Sequence, residues 1–264
     1  MRIDNVKTGY FCTVAVIIVT AACVIVPVFA QATGGTVSVP AGVFNRGSTE
    51  AGAESDESPV RLVRMSGFGM MATEVTEAQY ERCVDGGQCA PAHYDDGKCL
   101  IWSGGGFMKV VVPSHLRGDE FPVVCVTWQE ARAFCASRGM RLPTEAQWEY
   151  AALGGGRGRY AWGDAAPDGN RCSRGAPKAV GGFAPNGYGL YDMTGNVWEW
   201  TADFYAADSY ESSADTDPKG PDAGYYRVIR GGGWYSGPNE LRVRNRHWFA
   251  AGGAEASVGF RCVK

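Results

Sequence analysis

The sequence predicts an α+β single domain with little regular secondary structure and long packed loops, and three observations carry that expectation. Glycine is abundant, at 37 of 264 residues, and it accompanies 8 Trp, 12 Tyr and 11 Phe. So many permissive backbone positions among so many large rings favour loops packed on aromatics over a helical bundle. Only three short segments carry helix-start signals, and strand-like runs flank them at both ends. The hydrophobic fraction of 45% is ample for one core, and the length suits one large domain. A formal net charge of −3 with no basic block excludes the electrostatic footprint of a nucleic-acid binder.

The chain opens with an address. Arg2 and Lys7 precede a long apolar stretch that ends at Ala30, and Ala30-Gln31-Ala32 has the form of a cleavage site. Residues 1–32 therefore read as a signal peptide, 33–36 as a linker and 37–264 as the folded domain. Because roughly 20 apolar residues can span a bilayer, an N-terminal membrane anchor is the alternative, and membrane contact is expected only if the segment stays uncleaved. Either way the domain is exported, periplasmic or secreted. Cysteines there form disulfides. Cys83, Cys89, Cys99, Cys125, Cys135, Cys172 and Cys262 lie beyond the leader, an odd set with no C-x-x-C pair, so one thiol should stay free.

Within the domain, Val37–Val39 and Val43-Phe44 read as an opening strand broken at Pro40–Gly42. Glu50–Pro59 is acidic and Ser-rich, a solvated loop. Three capping boxes announce helices: Thr76 with Gln79, Thr127 with Glu130, and Thr144 with Gln147. Their stops are Gly86-Gly87, Gly139 and Gly154–Gly156. On the second helix Ala131, Phe134 and Cys135 share a face, which predicts a buried Cys135. Gly154–Tyr191 and Asp203–Gly224 read as loops. Tyr160, Trp162, Phe183, Tyr188 and Tyr191 supply the first with the anchors that a long loop needs. Strand character returns in Tyr225–Ile229 and Val258–Val263.

The sharpest chemistry lies in Asn186–Trp200. Asp192, Asn196 and Glu199 sit around Gly195, and oxygen ligands on a glycine-bent loop suit Ca²⁺. The plainer alternative has Glu199 capping a turn while Trp198 and Trp200 fill the core. Arg242, Arg244 and Arg246 alternate; on a strand they would present three cations on one face, paired with Asp/Glu or open to an anionic ligand.

Segments spread over the chain then carry a resemblance: VPAGVF at 39–44, EVTEAQY at 74–80, PVVCVTWQEARAFC at 122–135, RLPTEAQWEYAA at 141–152, NGYGLYDMTGNVWEW at 186–200, RVIRGGGW at 227–234 and GFRCV at 259–263. In this order they resemble the formylglycine-generating enzyme (sulfatase-modifying factor) family, whose fold is C-type-lectin-like. The resemblance implies one calcium site at Asp192, Gly195, Val197 and Glu199, and a Cys135–Cys262 bridge. Closing a loop of about 126 residues, that bridge would contribute about 4–5 kcal/mol in the chain-entropy description. A second family calcium site would begin at Asn170 and Arg171, but its downstream acidic part is missing. Cys83, Cys89, Cys99 and Cys125 are expected to hold two further bridges, which leaves Cys172.

The family's oxidase needs two cysteines five apart, whose thiolates hold Cu(I). Here those positions are Ser236 and Leu241. Copper and the family reaction are therefore not expected. The expectation is a non-catalytic binding or envelope-structural module that meets a protein or glycan through Trp234, Tyr235, Arg242, Arg244, Arg246 and Trp248. The alternative is an oxidase with a non-cysteine site, for which Glu240 and Glu255 are the nearby acids. A cleft lined by Glu240 and arginines would favour the enzyme, and a flat aromatic face would favour binding.

Overall fold

The computed structural model describes residues 35–264, so the expected leader at 1–32 lies outside the described residues. The elements are β1 (Thr36–Val39), β2 (Gly42–Arg46), β3 (Arg61–Met65), β4 (Phe68–Met71), α1 (Glu77–Asp85), β5 (Cys99–Trp102), β6 (Phe107–Lys109), α2 (Trp128–Ser137), α3 (Glu145–Leu153), β7 (Trp198–Phe204), β8 (Tyr226–Arg230), β9 (His247–Ala250), β10 (Ala254–Glu255) and β11 (Val258–Gly259). Three short helices among small sheets and long loops match the expected class.

Each helix begins where its capping box predicts. The hydroxyls of Thr76, Thr127 and Thr144 accept from the backbone N–H of Gln79, Glu130 and Gln147, and each of those side chains reaches back to its cap. Gly154 ends α3 with φ 58°, a left-handed turn that costs glycine nothing.

The sheets are less local. β1 and β2 do not pair with each other as one broken strand; β1 pairs with β4 and β2 with β3, all antiparallel. A four-stranded sheet runs β11-β7-β8-β9, with β11 parallel to β7 and the rest antiparallel. β5, β6 and β10 make a three-stranded sheet. The expected C-terminal strand shrinks to Val258–Gly259, and Val263 instead forms single bridges to Met70 and Arg141.

Phe134, Cys135, Trp198, Trp200 and Phe260 lie in one hydrophobic cluster, and Met70, Trp148 and Val263 in a second. Three disulfides join Cys83–Cys89, Cys99–Cys125 and Cys135–Cys262, the last spanning 127 residues. Cys172 is free and buried.

Glu50–Pro59 is not the wholly solvated loop its composition suggests, because Asp56 and Glu57 are buried. In the second expected loop Asp203 and Tyr210 are buried too. The reason is electrostatic: several of these groups are counter-ions and hydrogen-bond partners of arginines that the fold has taken out of water.

Candidate functional site

The turn after β8 organises the site. Gly231 and Gly232 have φ of 99° and 76°, and a Cβ on Gly232 would lie 2.8 Å from Leu241 Cδ2, so the backbone passes where only glycine fits. Two hydrogen bonds zip this turn to the Asp192–Glu199 loop: Gly195 N–H to the Gly231 carbonyl (2.9 Å) and Trp234 N–H to the Asn196 carbonyl (2.8 Å).

Ser236 and Leu241, at the positions that resemble the family's cysteine pair, are both buried. Ser236 Oγ accepts from the Gly233 N–H at 3.1 Å, so it closes its own turn. Leu241 packs with Tyr160 and the free Cys172, a neighbour that sequence reasoning missed because no local pattern links the two segments. Burial pushes the Cys172 thiol up, which keeps it protonated and a poor metal ligand. One thiol, one hydroxyl and one alkyl group do not make a soft two-thiolate site.

Beside this sealed turn opens a cavity of about 460 Å³, lined by Trp102, Phe107, Trp198, Tyr235, Trp248 and Phe249, with Glu240, His247 and Glu255 among them. It combines the two outcomes that the sequence set apart, being concave and aromatic, acidic but without arginine. Glu240 Oε2 accepts from the Gly237 N–H (2.8 Å). Glu255 Oε2 accepts from the Ser257 N–H (2.8 Å) and from its hydroxyl, whereas Glu255 Oε1 is buried with no partner. Of the expected ligand surface, Tyr235 and Trp248 line the cavity and Trp234 lies half-buried, edge-on to Tyr235.

The arginines are elsewhere, which corrects the expectation that all three belong to that surface. Residues 241–246 form turns and irregular backbone rather than a strand. Arg242 is fully buried and binds Glu57 with both terminal nitrogens, at 2.7 and 2.5 Å. Arg246 is buried against Glu145 (2.7 and 3.2 Å). Half-buried Arg244 donates to the Gly158 carbonyl at 3.3 Å. Pairing with carboxylates, one of the two roles considered for them, is the one that Arg242 and Arg246 take. Burial pushes Glu145 up, but Arg246, Arg46 and Arg230 overcome it and hold its carboxyl at about 2.

At the expected calcium loop, Asp192, Gly195 and Asn196 have φ of 55°, 93° and 59°, so the chain does bend sharply there. Asp192 Oδ2 accepts from the Gly181 N–H (2.6 Å). Glu199 lies in β7, where Arg261 holds its oxygens at 2.7 and 2.8 Å and the Trp148 indole N–H adds a bond of 3.0 Å. A third acid joins them: Glu74 is buried, its Oε1 accepts from Asn196 Nδ2 (3.1 Å), and its Oε2 has no hydrogen-bond partner. Burial and then the neighbouring Asp192 push Glu74 well up. Among the described residues no trio of His, Cys, Asp or Glu side chains converges on one point, so an ion here would need main-chain oxygens as well. Three buried carboxyl groups meet one guanidinium, and burial favours the neutral form of Glu74 and Asp192, which a cation at the Asp192 end would hold ionised.

The sulfatase-modifying factor enzyme 1-like domain matches residues 24–264. The chain is 34% identical over 285 residues to the formylglycine-generating enzyme of Thermomonospora curvata, covering 87% of this chain and 93% of the relative. It is 42% identical over 281 residues to the inactive C-alpha-formylglycine-generating enzyme 2 of Bos taurus, covering 86% and 87%. It also matches the serine/threonine-protein kinase pkn1 of Chlamydia pneumoniae at 38% over 242 residues, but spans only 37% of that longer protein. The solved structure of PvdO from Pseudomonas aeruginosa has a TM-score of 0.73 and 25% identity, covering 86% of this chain and 93% of that one. With the family match extending over nearly all of its length, the chain belongs to the sulfatase-modifying factor (formylglycine-generating enzyme) family.

Proposed function

We propose that this protein is an exported, calcium-containing binding module of its family that has lost copper oxidase chemistry and uses the aromatic cavity as its ligand site. The observation that carries the reading is the pairing of a sealed turn with an open cavity beside it. Ser236 and Leu241 are both buried, Ser236 closing its own turn and Leu241 packed on Tyr160 and Cys172, while Tyr235 and Glu240, their immediate neighbours in sequence, face the cavity. A volume of about 460 Å³ with mostly aromatic walls and few polar groups is typical of sites for small ligands or side chains. Three disulfides in the described residues support an oxidising compartment.

Calcium belongs to the same reading, held by Asp192 and Glu199 side chains with the main chain of Gly195 and Val197. The three buried carboxyl groups around one guanidinium support it, since a cation would hold Glu74 and Asp192 ionised against burial, and the ion would lock the Asp192–Glu199 loop to the turn that carries Ser236. A second reading, an oxidase with a non-cysteine site, is favoured by one observation: Glu240, His247 and Glu255 line one cavity, although they do not converge on one point.

Metal analysis after separate loading with Cu(I), Fe(II) and Ca²⁺, followed by a mass-spectrometric assay for formylglycine on a cysteine peptide, tests the proposal. We expect about one calcium per chain, no retained redox metal and no aldehyde product. Stoichiometric copper with aldehyde formation would overturn it, and stoichiometric iron would move the case to the second reading.

A further inference from the structure

The cavity has an unbalanced charge. Two carboxylates line it, Glu240 and Glu255, and neither Lys nor Arg does. Glu255 is 1% exposed, yet its Oε1 has no hydrogen-bond partner, while Oε2 is fixed by Ser257. Ser257 Oγ in turn lies 3.2 Å from the Tyr235 hydroxyl, so the carboxylate is braced through Oε2, while the Trp102 backbone N–H is the one further group that favours its charge. Burial pushes the Glu255 carboxyl up because its charge has no counter-charge nearby, and a ligand that brings positive charge favours the ionised form.

The walls suit the same ligand. Trp102 and Phe107 meet edge to face at 5.3 Å, Phe107 and Phe249 lie 5.5 Å apart, and Tyr226 and Trp248 lie 4.3 Å apart. Ring faces attract cations through their quadrupoles, and several rings around one volume make a cage for an alkylated ammonium. A neutral ligand would satisfy the rings but leave the two carboxylates without a counter-charge. An anion would face two carboxylates.

We infer that the cavity recognises an organic cation, an ammonium-bearing headgroup caged by Trp102, Phe107, Tyr226, Trp248 and Phe249 and neutralised by Glu255 with Glu240. The inference rests on the reading of the cavity as a ligand site and names the chemistry of that ligand.

Tryptophan fluorescence titration of the protein with choline, with its uncharged isostere 3,3-dimethylbutan-1-ol and with indole tests it. Choline should bind saturably and about tenfold or more tightly than the isostere, a difference of about 1.4 kcal/mol. Nα-acetyl-Nε-trimethyllysine methylamide, run in parallel, separates an ammonium borne on a protein side chain from a free small molecule; tighter binding of either supports the inference. Glu255→Gln should lose the preference for charge while keeping affinity for the isostere. Glu240→Gln, at a half-buried position, and Trp248→Ala, at an exposed one, should each weaken choline binding in a protein whose fold circular dichroism shows to be intact.

If the isostere or indole binds as tightly as choline, or if none of these variants changes choline binding, the cation inference falls and the ligand-site reading stands. If no probe binds, both fall.

Discussion

Arg242 and Arg244 are two residues apart and should behave very differently. The Arg242 guanidinium and the Glu57 carboxylate are both fully buried and face each other through two hydrogen bonds. Arg242→Ala strands the carboxylate in a dry site, and breaking such a pair costs about 3–5 kcal/mol. Arg244 is half-buried with one long bond to a carbonyl, so Arg244→Ala should change stability by about 0.5 kcal/mol or less. Urea unfolding of both variants checks this, and equal shifts in midpoint would contradict the assignment. The sequence displays the three arginines plainly but cannot show their roles. Their partners lie 185 and 101 residues away, and an ion pair across that distance leaves no local pattern. Cys172 beside Leu241 and Glu74 beside Asp192 escaped sequence reasoning for the same reason. Tyr235 and Glu240 were legible because they flank a recognisable turn.

Among the elements, the three helices were the most legible part, since a capping box is complete within four residues. Thr127 Oγ accepts from the Glu130 N–H at 3.3 Å, and Glu130 returns a bond of 2.8 Å to the Thr127 N–H. Thr127→Ala should therefore cost about 1 kcal/mol. Denaturant titration reads this directly, and an unchanged midpoint would mean that the disulfide and core packing alone hold α2. Cys135 on that helix was rightly expected inside, because residues three and four apart share a face. Strands were less legible. β2 and β3 alternate side chains as strands do, but β1 and β2, adjacent in sequence, find partners in β4 and β3. β10 and β11 are two residues each and exist only because β5 and β7 offer open edges. Pairing that depends on a neighbour's edge has no signature in the segment itself.

At the scale of the whole molecule, the buried charges predict how stability varies with pH. Glu145 is held at about 2, below its ordinary value of 4.5. An unfolded chain binds that proton first, so this carboxylate contributes stability above pH 4.5 and loses it as the pH falls towards 2. Asp203 has the opposite sign. Burial and then the nearby Glu145 push it from 3.8 up to about 6, although it accepts from the backbone N–H groups of Glu145 and Gly220. The folded state now binds the proton first, so the contribution of Asp203 is fully present below pH 3.8 and fades as the pH rises through 6. These two groups together place maximum stability at about pH 4–5, with a fall on either side. Melting temperatures measured from pH 3 to 8 test the shape. Asp203→Asn separates the limbs by removing the charge; its amide oxygen keeps one of the two backbone bonds and its NH2 faces the other N–H, a loss of stability that is the same at every pH. The variant should show a shallower decline between about pH 4 and 6, the remainder belonging to Asp192, which burial also raises to about 6, and should keep the fall below pH 4.5. An unchanged upper limb would show that Asp203 does not titrate in this range. A vanished acid limb in the same variant would show that Glu145 depends on Asp203 rather than on Arg246, Arg46 and Arg230.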